Sequence, residues 1–234
     1  YKLLTQELTA LVDGVPYLIA NLSNASALLW QPLPDINWAG FYKMEDSKLV
    51  LVDEVISYLG DRECRVLDLC AGSGCVGLAI AANVPECRVV LGELSEGALR
   101  ICKQNVRRNG LNSRVTCISV NAMESPVSAL WDFDVITCNP PYIPTEDIKG
   151  LDVSVKDYEP HMALDGGEDG LDFYRFIAAK WKGALRVGGS LIFEVGIGQA
   201  PHVEEILAIN GYENIQTVSD TQGIWRVVEG TSAG

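Results

Sequence analysis

The stretch RVLDLCAGSGCVGLAI, from Arg65 to Ile80, decides the fold predicted for this chain of 234 residues. The apolar run Val66–Leu69 is typical of a short buried strand, and the small-residue run Val76–Ala82 is typical of a helix. Between them, Gly72 and Gly74 allow a sharp turn that brings the backbone close to a ligand. The N-terminal amides of the helix would face the same ligand. The pattern is also compatible with a tight turn that binds nothing, so it needs support from the rest of the chain.

Strand-like and helix-like segments alternate over most of the remaining sequence. Predicted strands are 66–69, 89–91, 115–120, 133–138, 190–195, 215–218 and 225–228, and predicted helices are 76–82, 96–109, 170–185 and 203–210. Such alternation indicates βαβ units in a mostly parallel sheet that is covered by helices. The turn-rich SDTQG between the last two strands favours an antiparallel hairpin at one edge. We therefore predict an α/β fold with a mostly parallel seven-stranded sheet.

The first 50 residues follow a different pattern. Apolar residues recur at helical spacing in 3–12 and again in 19–29. The runs NWAGFYKM, 37–44, and LVLV, 49–52, predict two strands of a hairpin around the turn EDSK. We expect a short helix–hairpin segment over residues 1–50, followed by a larger domain over residues 51–234.

Charge and hydropathy narrow the classes of partner. The chain has 18 basic and 31 acidic residues, a net charge of −13. This argues against direct binding of nucleic acid through its phosphates and suits a small cofactor or a basic protein, although an ordinary soluble surface explains the charge better. No apolar run is long enough to span a membrane, and the start YKLLTQEL lacks the basic region of a signal peptide. We expect a cytoplasmic protein with no membrane partner.

Cysteine and histidine usage gives no sign of a metal site. The seven cysteines form no C-x-x-C pair, and the chain has only two histidines, His161 and His202. Zinc-ligand spacing is therefore absent. We expect free thiols in a reducing compartment and no disulfide framework.

Two acidic residues at strand ends suggest the chemistry of the ligand. Glu93 ends the predicted second strand, where a carboxylate can accept both hydroxyls of a ribose. Asp68 ends the first strand, and a carboxylate there suits a cationic or amino-bearing ligand better than a pyrophosphate. S-adenosylmethionine has a ribose, an amino group and a sulfonium, and no phosphate. Asn121, after the third strand, either reaches the adenine edge or belongs to a turn.

The stretch TCNPPYIP, from Thr137 to Pro144, follows the apolar fourth strand. Ligands of open α/β sheets bind at this edge, and the two prolines stiffen the backbone there. The side-chain oxygen of Asn139 and the carbonyl of Pro140 could accept both protons of a planar nitrogen, while Tyr142 stacks on the planar group. Methyl transfer would then depend on positioning and electrostatics. A merely stiff connecting loop is the competing interpretation.

These motifs together resemble class I (Rossmann-like) S-adenosylmethionine-dependent methyltransferases that methylate amino groups. Three further segments resemble the HemK-type release factor glutamine methyltransferases: YEPHMALDGGEDGLDFYRFI from Tyr158, LIFEVGIGQ from Leu191 and GIWRVVEG from Gly223. That family methylates the side-chain nitrogen of the glutamine in the Gly-Gly-Gln motif of class 1 peptide release factors. The resemblance covers residues 51–230 and implies this activity, this cofactor and this protein partner.

The resemblance also implies which residues form the site, with no metal. The cofactor-binding residues would be Asp68, Ala71, Gly72, Gly74, Glu93, Asn121 and Asn139. The catalytic residues would be Asn139, Pro140 and Tyr142, and the substrate-binding residues Asn139, Pro140, Pro141 and Tyr142. Asn121 stands where the family often has Asp. Glu159 and Pro160 match an EP segment of the family, to which we assign no catalytic role.

The segment before residue 51 departs from the HemK pattern. Ala20–Tyr42 resembles the opening of GAF-type free methionine-(R)-sulfoxide reductases, but the later cysteine-bearing part of that family is missing, so no reductase activity is implied. We place the junction at Leu49–Val52. Two alternatives therefore stay open beside glutamine methylation: methylation of an exocyclic base amine, and a cofactor-binding module with impaired catalysis.

Overall fold

The computed structural model of the protein describes residues 50–151 and 160–233. Its strands are β1 (Cys64–Leu69), β2 (Cys87–Glu93), β3 (Val115–Ser119), β4 (Phe133–Cys138), β5 (Leu185–Glu194), β6 (Tyr212–Ser219) and β7 (Trp225–Ser232). Its helices are α1 (Val50–Leu59), α2 (Cys75–Asn83), α3 (Glu96–Arg108), α4 (His161–Leu164), α5 (Asp172–Lys180) and α6 (Ala200–Ile209), with short 3-10 turns at Asp147–Gly150 and Lys182–Ala184. All seven predicted strands are present.

The strands form one sheet in the order β3-β2-β1-β4-β5-β7-β6. The first five strands in this order are parallel, and β7 runs antiparallel to both β5 and β6. The predicted antiparallel hairpin at one edge is therefore confirmed. The chain proceeds outward from β1 through β2 to β3 and then returns to β4 on the other side of β1. This reversal between β1 and β4 is where open α/β sheets bind ligands, outside the carboxyl ends of the strands.

The central strands are apolar because helices cover both faces of the sheet. Every residue of β4 is buried, as expected for a parallel strand between two helical layers. One apolar cluster packs α1, α2 and α3 on the first face, and a second packs α5 and α6 on the other. In the second cluster Tyr174 contacts Phe193 edge to face, with ring centroids 5.1 Å apart. This packing holds the carboxyl ends of the strands rigidly.

Local signals in α3 explain its bounds. The side chain of Ser95 accepts a hydrogen bond from the amide of Ala98 at the N-terminus. Glu96 lies in the first turn, and Arg107 and Arg108 lie in the last, where they complement the helix dipole. The prediction of 96–109 for this helix is confirmed to within one residue.

The prediction of a strand at Leu49–Val52 is wrong, because α1 begins at Val50. Its buried residues Leu51, Val52, Val55 and Leu59 lie on one helical face and pack against α2 and the sheet. A short apolar run does not by itself distinguish a strand from a buried helix, and here the tertiary packing decides. The other elements predicted before residue 50, and the resemblance of Ala20–Tyr42, lie outside the described residues.

Two boundaries on the α5 side also differ from the prediction. The helix predicted over 170–185 is Asp172–Lys180, and β5 begins at Leu185 instead of 190. Gly189 does not end the strand. It is required within it, since a Cβ there would lie 2.9 Å from the carbonyl oxygen of Phe133 on β4.

None of the helices in 50–151 and 160–233 is long and apolar enough to cross a membrane. Within the same ranges, no two cysteines form a disulfide.

Candidate active site

A cavity of about 560 Å³ opens at the carboxyl ends of β1, β2, β4 and β5. Eight residues of the predicted site line it: Ala71, Gly72, Glu93, Asn121, Asn139, Pro140, Pro141 and Tyr142. The glycine loop and the NPPY stretch, distant in sequence, therefore meet in one space. The parallel register explains this, because Leu69 of β1 lies beside Cys138 of β4 and both strands end at the same edge.

Glu93 is fixed against the glycine loop by two backbone amides. Its Oε2 accepts a hydrogen bond from the amide of Gly72 at 2.7 Å, and its Oε1 accepts one from Ser95 at 2.7 Å. The side chain lines the cavity although the residue is only 9% exposed. Each carboxylate oxygen keeps a second lone pair, so the group can still accept a ligand hydroxyl.

Asp68 is not among the residues that line the cavity, and its predicted contact with the cofactor stays a prediction. The residue is 2% exposed, and its Oδ2 accepts a hydrogen bond from the amide of Gly77 at 2.9 Å, behind the glycine loop. Burial raises the pKa of this carboxyl to about 7; the hydrogen bond from Gly77 lowers it and the charge of Glu93 raises it by smaller amounts. Asp68 therefore ties β1 to the start of α2 and supports the loop from behind.

Gly74, like Asp68, shapes the glycine loop and is not among the residues that line the cavity. Its φ of 83° is in the left-handed region, and a Cβ there would lie 2.9 Å from the sulfur of Cys102. Only glycine satisfies both conditions without strain. Cys70, two residues before Gly72, is also left-handed, with φ 56°, and lines the cavity.

Asn121 belongs to a turn and also lines the cavity, and its contact with the adenine stays a prediction. It lines the cavity, and its side chain also holds a turn, accepting from the amide of Met123 at 3.0 Å and donating to Glu124 at 3.2 Å. The nearby wall is apolar, formed by Ala98, Ile101 and Val120.

Asn139 directly follows the last residue of β4 and lines the cavity. Its side-chain amide makes no hydrogen bond to any residue within 50–151 or 160–233. Two backbone hydrogen bonds hold the loop after it. The amide of Ile143 donates to the carbonyl of Leu164 at 3.0 Å, and the amide of Gly166 donates to the carbonyl of Ile143 at 2.9 Å. A polar amide is thus presented at a fixed place with its hydrogen-bonding groups available.

Glu194 is a functional candidate that the sequence reasoning missed. It ends β5, next to Asn139 in the β4–β5 register, and lines the cavity. Burial raises the pKa of its carboxyl to about 7, against the opposing charge of Arg226. The signal that identified Glu93, an acid at the end of an apolar strand, applies equally to Glu194.

The charges of the lining residues restrict the charge of the ligand that the cavity can bind. Glu93 and Glu194 are the charged members of the described lining, which contains no Lys, Arg or His. No group of acidic, cysteine and histidine side chains in the described ranges could hold a metal ion. The EP segment contributes Pro160 to the lining, while Glu159 lies outside the described residues.

Comparison with known proteins shows what this chain is similar to. The "Methyltransferase small domain" family matches residues 47–152. The release factor glutamine methyltransferase of Clostridium acetobutylicum is 38% identical over 186 residues, and that of Geobacter sulfurreducens is 42% identical over 183. The chain is a homologue of release factor glutamine methyltransferases. The matches cover 79% and 77% of this chain but 65% and 62% of those relatives, so the homologue spans somewhat less than two thirds of their length.

Solved structures confirm the fold of this homologue. The hMettl16 catalytic domain matches with a TM-score of 0.65 at 15% identity, covering 93% of this chain and 82% of that one. A methyltransferase from Pyrococcus furiosus matches with a TM-score of 0.56 at 18% identity, covering 78% and 83%. The fold is that of the class I S-adenosylmethionine-dependent methyltransferases, as predicted.

S-adenosylmethionine is the cofactor that this fold implies, and the cavity fits it. Glu93 offers a fixed carboxylate for the ribose hydroxyls, and Ala98, Ile101 and Val120 offer an apolar wall for a flat base. The absence of cationic side chains from the described lining agrees with a cofactor that has no phosphate.

Proposed function

We propose that this protein transfers the methyl group of S-adenosylmethionine to the side-chain amide nitrogen of a glutamine in class 1 peptide release factors. The observation that carries the proposal is the Asn139 amide, which lines the cavity beside Pro140 and Tyr142 and is not engaged by any described residue. Further support comes from the relatives named release factor glutamine methyltransferase.

The chemistry of an amide nitrogen matches these groups. Its lone pair is delocalised into the carbonyl, so the nitrogen is a weak nucleophile. The Oδ1 of Asn139 and the carbonyl of Pro140 would accept hydrogen bonds from its two N–H groups and hold the nitrogen in line with the methyl group. Tyr142 would cover the flat amide. The bound cofactor supplies an electrophilic methyl carbon. The amide nitrogen would gain the methyl group and lose one of its two protons to water, leaving S-adenosylhomocysteine as the second product. Positioning of this kind accounts for much of the rate in reactions that need no covalent intermediate.

The rim of the cavity suits an uncharged peptide. Leu94 and Met162 line the cavity and are 46% and 50% exposed, so they present apolar surface at its mouth. A Gly-Gly-Gln loop has no charged side chain and little bulk before the glutamine. It could therefore enter without leaving an unpaired charge in the cavity.

Methylation of an exocyclic base amine is the second candidate, because Asn139, Pro140 and Tyr142 would hold that planar nitrogen equally well. Nucleic-acid binding depends on cations that neutralise phosphates. None of the described lining residues is a cation, and the net charge of the chain is −13. We therefore favour the protein substrate.

Incubation with labelled cofactor and either a class 1 release factor or transfer and ribosomal RNA tests the choice. We expect label on the release factor and none on RNA. Label on RNA alone would contradict the proposal. Cofactor binding by calorimetry without label on either would instead identify a cofactor-binding module with impaired catalysis.

A further inference from the structure

Tyr142 is seated among three glycines that leave no space for a side chain. A Cβ at Gly170 would lie 2.3 Å from the carbonyl oxygen of Tyr142, and one at Gly166 would lie 2.8 Å from its Cα. A Cβ at Gly196 would lie 3.0 Å from its ring. Contacts this close mean that the backbone of two other loops touches the NPPY stretch directly.

Gln199 links the same three segments through its side-chain amide. Its Nε2 donates to the carbonyl oxygens of Tyr142 at 2.8 Å and Gly170 at 3.3 Å. Its Oε1 accepts from the amide of Gly196 at 3.0 Å and from the hydroxyl of Tyr174 at 3.4 Å. Both donors of the amide and one acceptor position are therefore in use, and the hydroxyl of Tyr174 shares its single proton between Gln199 and the carbonyl of Glu194. These bonds fix the orientation of the amide.

The partners of Gln199 are themselves rigid. Tyr174 is fully buried, and its hydroxyl also donates to the backbone carbonyl of Glu194 at 3.0 Å. Gln199 immediately precedes α6, whose buried residues pack against the sheet. Any force that moves Tyr142 would therefore have to break hydrogen bonds that are anchored in the core.

We propose that Gln199 is a positioning residue that sets the ring of Tyr142 and the nearby carbonyl of Pro140 for methyl transfer. The proposal rests on the function proposed above. Gln199 is not a cavity-lining residue, so it acts through Tyr142 and not on the ligand. A shift of about 1 Å in a positioning group can cost about a hundredfold in rate.

Gln199→Glu is the most direct test, because it keeps the shape of the side chain and an acceptor oxygen. It replaces the donating NH2 group by a charged oxygen that faces the carbonyls of Tyr142 and Gly170. We expect kcat with release factor to fall by about tenfold to a hundredfold, with cofactor affinity and the KM for release factor unchanged. Lowering the pH should restore part of the lost kcat relative to the unsubstituted protein, since a protonated carboxyl regains one donor. Melting temperature and cofactor binding are measured at each pH, because a role in folding alone would make them recover together with kcat.

Gln104→Glu on α3 is the matched control, an amide-to-carboxylate exchange outside the cavity lining, and should leave all three constants unchanged. If Gln199→Glu fails to fold, Gln199→Asn keeps the amide on a shorter chain and should lower kcat while binding cofactor normally. Unchanged kcat in a folded Gln199 variant, or a parallel loss of cofactor affinity, would overturn the proposal.

Hydrogen exchange separates this inference from the proposed function. The amides of Tyr142, Ile143 and Thr145 should exchange faster in Gln199→Glu than in Gln104→Glu, whatever the protein methylates. Equal exchange in both variants would overturn the role of Gln199 even if release factor is the substrate. Faster exchange without methylation of release factor would support the contact and reject the proposed function.

Discussion

The position of Asn139 is set by the strand that precedes it. All six residues of β4 are buried, so the backbone at its end has one path, and the two prolines that follow remove further freedom. The amide is thus presented to the cavity at a low entropic cost. At this scale the sequence was informative about position, because the apolar run before Asn139 predicted that it follows a buried strand.

Asn139→Ala should lower turnover far more than cofactor affinity. The Oδ1 of Asn139 would accept a hydrogen bond from the reacting nitrogen. Loss of one such group costs about 10²- to 10³-fold in kcat. Steady-state kinetics with release factor and calorimetry with cofactor measure the two effects. The exposed Asn112→Ala is the control, and equal losses of turnover and affinity at Asn139 would reject the assigned role.

Glu93→Ala should weaken cofactor binding by about tenfold to a hundredfold, the effect of losing hydrogen bonds to a charged group. The change removes the ribose acceptor and leaves the amides of Gly72 and Ser95 without their partner. Calorimetry measures it, with the exposed Glu86→Ala as control. Unchanged affinity would mean that Glu93 is only a loop residue.

Asp68→Asn should change how stability depends on pH. The pKa of this carboxyl is about 7 in the folded protein and 3.8 ordinarily. Between these values the folded state holds a proton that the unfolded state has lost, so stability is fully present below about pH 4 and falls as pH rises through about 7. The variant should flatten this decline in denaturant unfolding, while the exposed Asp61→Asn should not. An unaltered pH profile would contradict the buried placement of Asp68.

The elements that hold the site are the strand ends and the loops between them. The apolar runs predicted the strands well, and β4 has the predicted bounds. The run LVLV was misassigned because its partners, α2 and the sheet, are distant in sequence. The burial of Asp68 could not be predicted for a similar reason, since a strand-end acid can face the cavity or lie behind the loop, and only packing decides.

Gly170→Ala should disturb the loop that touches the NPPY stretch. The residue has φ 74°, and its Cβ would lie 2.3 Å from the carbonyl oxygen of Tyr142, so the backbone must shift. We expect a lower melting temperature and a lower kcat with cofactor affinity retained. Gly150→Ala, where a Cβ meets nothing within 4 Å, is the matched control in thermal melting and kinetic assays. Equal behaviour of the two variants would show that the loop tolerates displacement.

At the scale of the whole molecule, one sheet edge joins the two halves of the predicted site, one for the cofactor and one for the substrate. The glycine loop and Glu93 come from β1 and β2, whereas Asn139 and Glu194 come from β4 and β5. The alternation of strands and helices predicts the parallel strands whose ends meet at this edge, but their order comes from the structure. The linkage through Gln199 could not, because it depends on three loops meeting in space.

The central claim is that a glutamine side-chain nitrogen of a release factor receives the methyl group. The most direct measurement is peptide mass spectrometry of a class 1 release factor after incubation with this protein and S-adenosylmethionine. The account predicts one added methyl group on the glutamine of the Gly-Gly-Gln motif, absent when Asn139→Ala replaces the enzyme. A methyl group on another residue, or an unmodified release factor beside methylated RNA, would contradict it.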